Sequence, residues 1–145
     1  MQRLRELLEQ DEGCVYAVYL DHLDKPTCGI GHLIVEGDAE YGWPVGAPVS
    51  EERVAELFEQ DVQIAIKDAH WLQPELDDMP EDAQITIISL AYQLGMPRYS
   101  MFVKHHAAIE ARIWREAAAQ LRDSKLYRQT TARTERHAAR LEALA

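Results

Sequence analysis

Two acids and a threonine, Glu12, Asp21 and Thr27, stand close together near the start of this 145-residue chain. Cleavage of a glycosidic bond uses such a set. One carboxyl group gives its proton to the leaving oxygen, while an ionised carboxylate handles a water or stabilises positive charge at the sugar. Glu12 falls at the junction of a helix and a sheet, where shielding makes a carboxyl hold its proton more tightly. Asp21, on a polar turn, stays hydrated and ionised. The Thr27 hydroxyl both donates and accepts, which suits it to holding a water in line.

The elements that position these groups follow from local pattern. Gln2–Gln10 carries Leu4, Leu7 and Leu8 at i, i+3 and i+4, a short helix with one apolar face, and Gly13 ends it. Val15–Leu20, rich in β-branched and aromatic residues, reads as a strand, Asp21–Lys25 as a turn, and Pro26–Val35 as the returning strand. Gly29 and Gly31 leave room there for another backbone or a ligand. Val35–Val49 is a loop punctuated by Gly37, Gly42, Gly46, Pro44 and Pro48. Its Tyr41 and Trp43 suit stacking on sugar faces, and equally suit anchoring the loop on the sheet.

Ser50 is a good N-cap, and Glu51 and Glu52 complement the dipole of the helix that follows. Val54, Leu57, Phe58, Val62, Ala65 and Ile66 form one stripe, so the helix runs to about Asp68 and spans roughly 28 Å. His70–Pro80 is a connection. Glu81–Leu94 is apolar almost all round, which marks a buried helix at the centre of a core, stopped by Gly95 and Pro97. Its isoleucines also permit a strand, but its length favours helix. Further helices cover Tyr99–Ala111 and Ile113–Leu121, with Trp114 in the core. His105 and His106 are neighbours on a helix and so should point apart, as ordinary solvated histidines.

Composition places bounds on function. An apolar content of 47% supports a real core in one domain. Cys14 and Cys28 are too few for a disulfide framework and read as reduced thiols. No apolar run reaches a membrane span, and charges at Arg3, Arg5, Glu6 and Glu9 interrupt any signal-peptide core, so a cytoplasmic start is expected. The net charge of −10 disfavours nucleic acid. It is uneven: residues 101–145 carry nine Lys/Arg and five Asp/Glu, leaving six and twenty in residues 1–100. No second histidine is spaced to join His32 at a metal, so no metal and no cofactor are expected.

The run Asp11-Glu12-Gly13, then Tyr19-x-Asp21, then Thr27-x-Gly29-x-Gly31-His32-Leu33, resembles the active-site segment of the phage-type lysozymes, the muramidase endolysins of T-even phages and their relatives. The spacing of Glu12, Asp21 and Thr27 matches that family. A second likeness lies at Ser124-Lys125, then Gln129-Thr130, then Arg133 and Arg136. The resemblance implies that Glu12 is the general acid, and that Asp21 and Thr27 position the attacking water. It further implies that Gln93, Gly31 and Leu33 contact substrate, that His32 pairs with Asp61, and that Arg133 pairs with Glu12. Such a pairing would favour an ionised Glu12 and so oppose the effect of shielding. Departures from the family pattern are a shorter Ile34–Val49 loop, Asp24 for glycine, Leu126 for tryptophan, Ser89 for asparagine, and the acidic balance.

The fold so implied is α+β and mainly helical: a single lysozyme-like domain of two lobes, with a small antiparallel sheet lobe at 13–60. A helical lobe comprises 1–12 and 61–145, and a long helix joins the two. The function implied is hydrolysis of the β-1,4 bond between N-acetylmuramic acid and N-acetylglucosamine in peptidoglycan, with inversion. The alternative is a lysozyme-fold module that binds wall polymer or a protein partner without useful turnover. Peptidoglycan glycan strands are the expected partner, without nucleic acid or stable membrane association, and a monomer is the default. A protein made in the bacterial cytoplasm without a signal peptide would need another component, such as a holin, to reach the periplasm and wall.

Overall fold

The computed structural model describes residues 1–145. Its order is α1 (Gln2–Glu12), β1 (Val15–Leu20), β2 (Pro26–Gly29), β3 (His32–Leu33), α2 (Glu51–Leu72), a 3-10 turn (Leu76–Asp78), α3 (Glu81–Tyr99), α4 (Val103–Glu110), α5 (Trp114–Arg122), α6 (Lys125–Gln129) and α7 (Thr131–Glu142). The fold is therefore mainly helical with one small antiparallel sheet, in the order β1-β2-β3. By contact it divides into two compact units, Met1–Gln63 and Ile64–Ala145, and α2 runs from one into the other. Residues 1–12, which the sequence reading gives to the helical lobe, group by contact with the sheet.

In the first unit, α1 buries Leu4 and Leu8 completely, and Arg5 reaches Glu59 on α2 through two hydrogen bonds of 3.0 and 2.6 Å. The helix runs two residues past the expected Gln10, so Glu12 is its last residue rather than the one that follows it. Gly13 then turns the chain at φ 72°. Behind the sheet, Val18, Cys28, Ile30, Ile34, Val49, Val54 and Leu57 form the core. Each valine, isoleucine and leucine among them contributes about 1.5–3 kcal/mol on burial.

The expected single return strand over Pro26–Val35 is two strands. Gly29 and Gly31, both at positive φ, turn the chain around Ile30, so that β3 folds back on β2 with Cys28 opposite His32 and Thr27 opposite Leu33. A side chain at Gly29 would press on Val54, 3.1 Å away. The loop then returns along the far edge of β1, where Val18 N–H donates to Ala47 O, Gly46 N–H to Val18 O, and Val49 N–H to Tyr16 O.

Ser50 caps α2 as expected, its hydroxyl accepting from Arg53 N–H at 3.1 Å. The helix continues past Asp68 to Leu72, a length of 22 residues and about 33 Å. No breaker precedes Pro74, and the fully buried Ala69 rewards the extra turn.

In the second unit α3 buries Ile85, Ile87, Ile88, Leu90, Ala91 and Leu94 on all sides, which confirms the buried central helix. Gly95, at φ 74° and ψ 159°, breaks it, and Pro97 opens a last short turn that carries the fully buried Tyr99. Tyr99 therefore belongs to this turn, and the next helix begins only at Val103. The expectation of solvated histidines is overturned. His105 is buried, its Nε2 accepting from the Tyr99 hydroxyl at 2.9 Å and its Nδ1–H donating to Ala117 O at 3.0 Å. His106 donates from Nε2 to Tyr99 O at 2.8 Å, so both rings close on one tyrosine instead of pointing apart. Trp114 is core, as expected. Ser124 caps α6 by accepting from Tyr127 N–H at 3.2 Å, and α7 buries Thr134, His137, Ala138 and Leu141.

Candidate active site

The residues for chemistry converge on one edge of the first unit. Glu12 ends α1, and the β2–β3 turn lies directly against it. At Gly31 an added Cβ would overlap the Glu12 carboxylate oxygen and stand 2.9 Å from its Cδ. Glycine suits the position because a side chain would have to displace the Glu12 carboxyl and because the φ of 65° strains other residues. Gly31, which the resemblance gave to substrate contact, lies against the Glu12 side chain.

Asp21 sits where β1 becomes the turn. Its Oδ1 accepts from the backbone N–H groups of Leu23 at 2.8 Å and Lys25 at 2.9 Å, and these bonds, that to Lys25 foremost, hold its carboxyl below the usual range. Its backbone N–H donates to Lys25 O at 3.0 Å, and Asp24 takes the left-handed conformation at φ 58°. The aspartate at that hairpin position is a residue type that tolerates it. Thr27 is buried, and its hydroxyl donates to the same Lys25 carbonyl at 2.9 Å. Lys25 thus ties the two groups together through its backbone. The Thr27 hydroxyl proton is committed, so its oxygen offers only lone pairs, and Asp21 keeps Oδ2 for another donor.

Tyr19 stands directly opposite Thr27 across the sheet. Burial, then the charges of Glu12 and Asp21, push its phenol pKa up, which places the ring within the field of both acids. The sequence reading did not single out this residue for a role.

His32 is the anchor of β3. Its Nδ1–H donates to Asp61 on α2 at 2.6 Å, which is the pair the resemblance implied, and its Nε2–H donates to Asp38 at 2.8 Å. Burial opposes a charge on this ring, but the two carboxylates prevail and raise its pKa. Asp38 went unrecognised in the sequence. It also accepts from Val35 N–H at 3.0 Å, a local turn that brings an acid six positions along the chain back onto His32. A second fastening holds the same loop: the buried Glu40 carboxylate receives Arg53 Nε–H and Nη2–H at 2.9–3.1 Å, and that guanidinium keeps its pKa low.

Leu33, opposite Thr27, is 44% exposed and available for contact. Tyr41 and Trp43 project from the pinned loop at 58% and 43% exposure. Gln93 and Arg133 lie in the second unit, Gln93 just before the break at Gly95 and Arg133 in the first turns of α7. The Gln93 Oε1 is buried and has no hydrogen-bond partner. No three His, Cys, Asp or Glu side chains gather as a metal site, and both cysteines are free thiols. No helix is long and apolar enough to cross a membrane. A separate groove of about 640 Å³ opens on the second unit, lined by Arg98, Met101, Phe102, Lys104, Lys125 and Leu126 among others; none of the predicted site residues lines it.

The sequence is similar to those of known proteins over most of its length. The family model for phage lysozyme matches residues 9–140. The chain is 28% identical to a probable T4-type lysozyme 2 of Dictyostelium discoideum, over 92% of this chain and 89% of that protein. It is 30% identical to the pre-baseplate central spike protein Gp5 of Enterobacteria phage T4, over 92% of this chain but 26% of that protein. It is also 30% identical to the peptidoglycan hydrolase gp36 of Pseudomonas phage phiKMV, over 90% of this chain and 14% of that protein. With the family model spanning nearly the whole sequence and the acid, turn and threonine set built as described, the chain belongs to the phage lysozyme family.

Proposed function

We propose that this protein is a muramidase that hydrolyses the β-1,4 bond between N-acetylmuramic acid and N-acetylglucosamine in peptidoglycan, with inversion at the sugar carbon. Family membership supports a glycoside hydrolase of cell wall. The observation that carries the mechanism is the joint tether of Asp21 and Thr27 to Lys25. A water between them can give one hydrogen to Asp21 Oδ2 and the other to the Thr27 oxygen. Its lone pair then points away from both, toward the sugar carbon. Glu12 transfers its proton to the glycosidic oxygen as that bond breaks, the water oxygen bonds to carbon from the opposite face, and Asp21 takes the water's proton. Gly31, by excluding a side chain, lets substrate lie against Glu12. Leu33, exposed on β3, contacts the glycan.

The expected products are new N-acetylmuramic acid reducing ends that first appear as the inverted α-anomer. Proton NMR of a soluble glycan during the first turnovers distinguishes this from retention, in which the β-anomer comes first. In the cell the protein would act as a monomer on glycan strands after release from the cytoplasm through a holin. The excess of acids in residues 1–100 favours a second reading, a module that grips the wall without turnover. Saturable binding to sacculi with no new reducing ends would select it.

A further inference from the structure

The register of the sheet sets a single row of side chains beside the two acids. Tyr19 is opposite Thr27, and Thr27 is opposite Leu33. Directly opposed residues share a face, with Cβ atoms about 4.5–5.5 Å apart. Asp21 follows Tyr19 by two positions, the interval at which a strand returns to the same face. Within this row the Thr27 hydroxyl proton is committed to Lys25 O, and Leu33 has no polar group. Tyr19 differs from both. It is half-buried, and its hydroxyl makes no hydrogen bond to the protein. Held protonated by burial and by the neighbouring charges, its phenol is an O–H donor beside Asp21 and the lone pairs of Thr27.

A ligand at this place meets the Asp21 carboxylate, the lone pairs of Thr27, the Glu12 proton that is reserved for the glycosidic oxygen, and the Tyr19 hydroxyl. Sugar hydroxyls and amide N–H groups can turn their hydrogens toward that carboxylate. A group that only accepts must find the Tyr19 donor, and on a 2-acetamido sugar that group is the acetamido carbonyl. We propose that Tyr19 contacts the glycan directly, its hydroxyl donating a hydrogen bond to the acetamido carbonyl of a sugar at the cleavage point, so that it selects N-acetylated substrate. This rests on the glycan-hydrolase reading above and adds to it a specificity residue.

The test uses binding rather than turnover. In a Glu12→Gln background, affinities for an N-acetylglucosamine oligomer and for its de-N-acetylated counterpart are measured by calorimetry, with and without Tyr19→Phe. Thermal melting of both proteins serves as a check on folding. The expected result is that Tyr19→Phe weakens the N-acetylated oligomer about five- to tenfold, as for one hydrogen bond, and leaves the de-N-acetylated oligomer and the melting temperature unchanged. Equal weakening of both oligomers, or no change in either, overturns the role given to the hydroxyl. If the Glu12→Gln parent binds neither oligomer, the glycan reading itself fails, and Tyr19's role with it.

Discussion

At the residue scale the proposed mechanism separates a group that must move a proton from groups that must stay still. Asp21 can lose its charge without losing its place, because Oδ1 alone takes the two turn hydrogen bonds. Asp21→Asn, with the amide oxygen in that position, is therefore expected to melt within a degree or two of the parent while kcat falls about 10²–10⁴-fold, the usual worth of a positioned acid or base. Melting curves and initial rates of sacculus hydrolysis check both halves. His32 is the opposite case, since two carboxylates converge on it with Asp38 13% and Asp61 21% exposed. His32→Asn leaves those charges facing one another, at about 2–3 kcal/mol, less than full burial would exact; urea unfolding measures it. The His32–Asp61 pair was legible through the family resemblance of the segments that carry it. Asp38 was not, because only the turn that joins Asp38 N–H to Val35 O at 3.0 Å brings it back to the histidine.

At the scale of elements, the turn between β2 and β3 decides where Glu12 can be. Gly31→Ala must accept a positive φ, at about 1–2 kcal/mol, and must also displace the Glu12 carboxyl. The expected outcome is a modest loss of stability with a much larger loss of kcat. If the variant lost stability but kept its rate, Gly31 would be a turn residue only. The helices were largely readable from period: α1, α2, α3 and α5 lie where their apolar stripes put them. The split of the return strand was hidden by Ile30, whose burial continues the apolar run through the turn. The end of α2 was hidden by the want of a breaker before Pro74. The two histidines of α4 were misread because helical spacing says nothing of Tyr99, which arrives from the preceding turn to meet both.

At the scale of the whole molecule, the deeply buried histidines of the second unit and His32 of the first respond to pH in opposite directions. In the second unit burial lowers the pKa of His105 to about 4 and of His137 to about 3, the latter helped by Arg140, Arg133 and Arg136. Below the ordinary histidine value of about 6.5 the unfolded chain takes up protons that the folded unit refuses. Its stability therefore falls as pH drops from about 6.5 toward 4 and then 3, by up to about 1.4 kcal/mol per pH unit for each group. In the first unit the raised pKa of His32 works the other way: its stabilisation is complete below about 6.5 and is lost as pH rises through the folded value. Amide exchange, corrected for intrinsic rates, is expected to show residues 64–145 better protected at pH 7.5 than at pH 5, and residues around β3 the reverse. A common direction in both units would contradict this assignment. The charge division also belongs at this scale, since the acids of residues 1–100 should make approach to an anionic wall salt-dependent. The most direct test of the central claim is the release of reducing ends from purified sacculi by the wild-type protein and by Glu12→Gln, across ionic strength. Release by wild type alone, faster as salt rises from a low value, is the result expected. Equal release by both proteins would remove Glu12 from its role, and release by neither, with binding retained, would make the protein a wall-binding module instead.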